Sequence, residues 1–181
     1  MSTAPPLGDI ALHLIRQAGT DAATQAPPNW DLYHELTDHL KRWQEDGTLV
    51  ENAALLVEWL AVEVSAATVA LHRSWERAEM WLVGYGDEVC RAQQHEHPAG
   101  PTAVAIISST LTARDAATTE PAGLLRVTAT AAAVLGYLRP GKEIEDGREL
   151  ALTFILWAGT LLAQLLKDPA VIADYRLPDP R

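Results

Sequence analysis

The chain has 181 residues, 48% apolar and 21% charged, enough to bury a core without staples and unlike a disordered segment. Its 24 acidic and 14 basic side chains leave a net charge of −10, which repels a phosphate backbone unless the bases gather on one face. The densest basic groups, Lys41 with Arg42 and Arg73 with Arg77, are interleaved with acids, so direct nucleic-acid binding is not expected.

Helix signals dominate in chain order: no useful stretch alternates apolar and polar residues, and the turn pairs of hairpins are missing. The opening MSTAPPLGDIALHLIRQAG lacks the basic region and apolar run of a secretory signal. Within it, Asp9 can cap a short first helix whose Ile10 and Leu14 share a face, with Gly19 following its end. Thr20 to Pro28 reads as a loop. Asn29 then caps a second helix that has Asp31 in its first turn and Gly47 just past its end.

That second helix carries His34, Glu35, Asp38 and His39, the residue types of zinc and iron sites. A zinc-protease pattern needs two histidines four apart on one face. Here they are five apart, a rotation of about 140°. The apolar stripe is Trp30, Tyr33, Leu36, Leu40 and Trp43, which leaves His34 and Asp38 in solvent. Glu35 and His39 flank the stripe, where another helix can reach them. The Glu-x-x-His of di-iron bundles is absent. A solvated face with local charge pairs is the default, and Glu35 and His39 stay as weak metal candidates.

Thr48 and Glu51 form a capping box for the third helix. From Leu49 to Val83 there is neither glycine nor proline, and one rod of that length would measure ~50 Å. The first half is apolar nearly all round, as suits a central helix, while the second carries a charged face. A break between Leu71 and Ser74 is predicted, with a second interruption at GYGDE, Gly84 to Glu88. Glu51, Glu58, Ser65, His72 and Glu79 fall seven apart on this stretch, a slowly drifting polar line. Glu58 and Glu63 sit among leucines, valines and Trp59, where a buried carboxylate is costly unless paired and an unusual pKa would mark a candidate functional site, the alternative being a structural ion pair or an edge facing water. Arg126, the one charge in its small-residue helix, is the candidate partner.

Cys90 is the only cysteine, so no internal disulfide forms and a cytoplasmic location is expected. With His95 and His97 it makes a second weak metal candidate, lacking the further ligand pair that structural zinc sites draw on. Further helices are expected from Pro101 to about Ala117, from about Pro121 to Leu138, and from an Asp146/Glu149 capping pair to Lys167. Asp168 and Pro169 open a short last helix, and residues 1–8 and 177–181 fray. The stretch Leu150 to Leu166 is only about as long as the shortest membrane spans, and no basic cluster orients it. It reads as a buried core helix, with no membrane association expected. Small residues recur at four-residue spacing, Thr128, Ala132 and Gly136 on one helix and Gly159 and Ala163 on the next, a pattern that lets two helices cross closely.

The fold expected is therefore all-α: one compact domain of six to eight helices around a long, mostly buried central helix. No phosphate-binding glycine loop or nucleophile elbow is present, so no cofactor or catalytic residue is assigned. The leading expectation is a non-enzymatic protein acting through protein–protein contacts in a regulatory, adaptor or immunity-type role. Its partner would be a protein, a basic one suiting its charge, and it would form a homodimer through helices 121–138 and 148–167. The alternatives are a small-molecule-binding domain with a Trp-lined pocket around Glu58, His72, Arg126, Trp59 and Trp75, and a carboxylate/histidine metal protein.

Overall fold

The computed structural model describes residues 6–27, 29–92, 99–116 and 120–176, with the side chains of 89–92, 112–116 and 120–128 outside the description. Eight helices and no strand make up its regular structure: α1 (Leu7–Thr24), α2 (Trp30–Glu45), α3 (Leu49–His72), α4 (Trp75–Ala92), α5 (Ala99–Ala116), α6 (Glu120–Tyr137), α7 (Glu143–Leu166) and α8 (Pro169–Ala173). The molecule is an all-α bundle. α3 and α7 pack along one another at its centre. α1, α2 and α5 touch both, α4 and α6 lean on α3 and α5, and α8 lies against α1 and α7.

Several helix boundaries follow from local chemistry. Asn29 Oδ1 accepts hydrogen bonds from the backbone N of Asp31 at 2.9 Å and of Leu32 at 3.4 Å, satisfying two donors that the first turn leaves free. Gly47 takes φ +71° just past α2. α3 ends where the break is predicted: Arg73 adopts φ +58° and its N–H bonds the Val69 carbonyl at 2.7 Å. Asp168 accepts from Ala170 N at 2.9 Å, with Pro169 at the first helical position of α8.

Other expectations are corrected. Gly19 does not end α1, which continues to Thr24 and turns only at Gln25, φ +53°. The helix starts at Leu7, with Asp9 inside its first turn and Pro6 preceding it. Thr48 makes no capping bond and instead accepts from Asn52 Nδ2 at 2.9 Å. Gly84 and Gly86 do not interrupt α4; a Cβ at Gly86 would lie 2.9 Å from Val104 Cγ1, so this glycine admits α5. Asp146 caps nothing in α7. It is buried in the helix and holds the preceding turn, receiving Arg139 N at 2.7 Å and Nε at 3.0 Å on Oδ2, and Nη2 at 2.6 Å on Oδ1.

Gly159 likewise meets a different neighbour from the one expected. A Cβ there would fall 2.7 Å from the Ala18 carbonyl carbon and 2.8 Å from Gly19 N. The close crossing is therefore between α7 and α1, whereas Gly136 on α6 has open space around it. Both α3 and α7 are long and apolar enough to cross a bilayer by length and composition. The residues that make them so, such as Leu60 and Val64 on α3 and Phe154 and Ile155 on α7, are fully buried in the core.

Candidate functional site

Building upward from α2, its polar face separates as the helical geometry requires. His34 and Asp38 are exposed. Glu35 is reached from α1 by His13, whose Nε2 lies 3.2 Å from Oε2, while His39 Nε2 lies 4.0 Å from Oε1. His13 was missed by sequence reasoning, because nothing local reveals which helix crosses α2 there. His39 Nδ1 faces Arg42 Nη2 at 3.3 Å. Since a guanidinium only donates, Nδ1 is the acceptor and the neutral ring carries its proton on Nε2. Burial first, and then the Arg42 charge, hold the His39 pKa below the usual histidine value. The two histidines address opposite oxygens of Glu35. Among the described residues no group of three or more His, Cys, Asp or Glu side chains closes on a point where a metal ion would fit. His95, His97 and the Cys90 side chain lie outside the described residues.

On α3, both isolated carboxylates are buried, Glu58 at 9% and Glu63 at 1% exposure. Glu63 accepts a short hydrogen bond from the Tyr175 hydroxyl, and the Tyr175 carbonyl accepts from Arg16 Nε at 2.5 Å. The chain after α8 is thus tied to α1 and α3. Glu58 and His72 are fourteen residues apart on one helix, roughly 21 Å of rise, so one pocket of ordinary ligand size does not span both. The Arg126 side chain lies outside the description.

The tryptophans divide in the same way. Trp59 packs against Gly8 of α1, 3.5 Å from where a Cβ would stand, and Trp75 lies partly buried against the core. His72 instead joins an aromatic cluster. Its ring centroid lies 5.3 Å from that of Trp81, which stacks on Tyr85 at 5.1 Å. Trp157 of α7 closes on Tyr85 at 4.8 Å. His72 Nε2 is buried there without a hydrogen bond among the described residues, and burial pushes the Tyr85 hydroxyl above its usual pKa. Trp81 and Tyr85 are stacked and the other rings tilted against them, an arrangement of core packing.

A cavity opens elsewhere. Where the end of α1, the start of α2 and the middle of α7 meet, a groove of about 450 Å³ is lined mostly by carbon. α1 contributes Ala18, Asp21 and Ala22; α2 contributes Trp30, Leu32 and Tyr33; α7 contributes Leu152, Leu156 and Thr160. Two of its large apolar residues face solvent, Trp30 at 67% and Leu156 at 57% exposure. Trp30 therefore leaves the stripe that its spacing suggests: Leu32, Leu36, Leu40 and Trp43 are buried, while Trp30 stands at the rim, edge-on to Tyr33 at 5.9 Å. Asn29 fixes this corner. Its Oδ1 caps α2 and its Nδ2 donates to Asp21 Oδ2 at 3.0 Å, so the cap that starts α2 also anchors the carboxylate in the groove wall.

The volume lies within the range of small-molecule sites, and among the described lining residues there is no nucleophile–base pair. No family model, curated protein or solved structure matches this chain.

Proposed function

We propose that the protein is a non-enzymatic helical binding protein that holds a small, largely apolar ligand in the α1–α2–α7 groove. The observation that carries this reading is the groove itself: ligand-sized, carbon-lined, and edged by a tryptophan left 67% exposed. Exposing such a ring forfeits part of the ~1.5–3 kcal/mol that burying a large apolar side chain yields, and an occupant would recover it. This takes up the small-molecule alternative in place of the leading protein–protein expectation, and moves its pocket from Glu58 and His72 to the groove. Calorimetric titration with small aromatic compounds tests it. The wild-type protein should bind at least one series with measurable heat, and Trp30→Ala should weaken binding by about tenfold, as loss of an aromatic anchor does. Titrations without heat for any series would dispose of the reading.

A second reading is supported by α6. From Val127 to Leu138 the chain has no charged residue, and Ala129, Ala132, Leu135 and Gly136 are exposed there. On a protein of net charge −10, an uncharged helix face suits contact with a second copy, so protein–protein action as a homodimer remains the companion proposal. Light scattering should give twice the chain mass, and Ala132→Glu should halve it. A wild-type monomer at high concentration would remove this reading and leave the first intact.

A further inference from the structure

We infer that the groove selects organic cations: amphiphilic amines whose apolar body lies against α7 and whose ammonium group meets Asp21. This inference rests on the ligand-binding reading above and names the class of ligand.

Among the described residues the groove wall contains one charged side chain, Asp21, and it is an acid. Ala18, Ala22, Leu152 and Leu156 offer only carbon, while Asn29, Gln25 and Thr160 offer neutral polar atoms. Asp21 is half-buried. Asn29 Nδ2 occupies its Oδ2, and among the described residues Oδ1 receives no hydrogen bond. A carboxylate fixed by one neutral donor keeps most of its negative charge and has acceptor capacity to spare. An ammonium group supplies both the countercharge and the donors, and such charge-assisted bonds are about twice as strong as neutral ones.

Two further features point the same way. Trp30 and Tyr33, which line the same groove as Asp21, meet edge to face, and an exposed indole face attracts a cation within about 6 Å of its centre. The Tyr33 ring already carries a cation, Arg148, 4.2 Å from its centre and donating to Thr37 Oγ1 at 3.4 Å, so the Trp30 indole is the aromatic face offered to a ligand; among the described residues no basic side chain lines the groove. The net charge of −10 draws cations toward the whole surface. An anionic ligand meets repulsion on all three counts, and a neutral one leaves Oδ1 unanswered.

Three probes of equal size separate the possibilities: phenylbutylamine, phenylbutanol and phenylbutyrate, titrated calorimetrically into the full chain at neutral pH. The expected order is amine, alcohol, acid, with the amine roughly tenfold or more tighter than the alcohol, as a hydrogen bond to a charged group provides. Asp21→Asn keeps an acceptor for Asn29 and should bring the amine down to the alcohol, whose own affinity stays put. Leu156→Arg, at an exposed position, should reverse the order of amine and acid. Equal binding of amine and alcohol, or an amine advantage that survives Asp21→Asn, overturns the cation inference and leaves the groove as a neutral apolar site. Failure of all three probes to bind the folded wild-type protein overturns the ligand reading and this inference together.

Discussion

His39 shows how one side chain turns position into pH dependence. Its folded pKa lies below the ordinary 6.5, chiefly through burial and then through Arg42. The unfolded chain therefore takes up the proton first as pH falls. Stability contributed by the neutral ring is complete above the unfolded value and declines as pH drops below 6.5 toward the folded value. Arg42→Ala should raise the His39 midpoint, read from its ring proton shifts, and should lessen the loss of stability between pH 7 and 5. An unchanged midpoint would mean that Arg42 does not face Nδ1 in solution.

Tyr175 carries the opposite sign. Burial first, and then Glu63, raise its phenol above the usual 10.0, so the folded state keeps a proton that the unfolded state gives up. That contribution is whole at neutral pH and fades as pH climbs past 10. Tyr175→Phe should cost about 1–3 kcal/mol in denaturant unfolding at pH 7, the penalty for removing a donor from a buried acceptor. A negligible change would place Glu63's stabilisation with its other contacts. The sequence left open whether Glu63 is buried, because its apolar neighbours suit an interior position and an edge facing water alike, and its partner, 112 residues away, left no local sign.

Among the elements, glycines were the hardest residues to place. Gly47 ends a helix, as its spacing suggests, and Arg73 breaks the long rod without any glycine. Gly19 and Gly86 look like stop signals locally, yet lie inside helices because a second helix needs the space that a Cβ would fill. Propensity describes the chain alone, and close packing overrides it. The contrast is measurable. Gly159→Ala puts a methyl 2.7 Å from Ala18 backbone and should destabilise by about 1–3 kcal/mol, as overpacking does. Gly136→Ala meets nothing within 4 Å and should be neutral or stabilise by about 0.5 kcal/mol. Equal effects at the two positions would show that the α1–α7 crossing is looser than described.

For the whole molecule, the helical class and the central α3 were legible because apolar patterning acts over a few residues, although the cap expected at Thr48 does not form. The groove was not, since it exists only when residues 18–33 and 152–160 meet. Its one local trace was an outward-facing leucine, Leu156, in an otherwise core-forming helix. The net charge of −10 is a property of the same scale. Mutual repulsion among the acids opposes the compact state, so raising potassium chloride from about 0.01 to 0.15 M, which shortens the Debye length from ~30 to ~8 Å, should raise the melting temperature. A melting temperature that falls instead would show that attractive charge pairs outweigh that repulsion.

The point where α1 passes over α7 has one more effect. Ala18 stands both at that backbone contact and in the wall of the groove, and Thr160 adjoins Gly159 on the facing side. The cleft therefore has a floor of main chain that cannot yield and a lip, at Trp30, with room to swing. On the proposed ligand reading, a guest would be gauged for depth by the unyielding end and accommodated in width by the other, so molecular length would be the dimension selected.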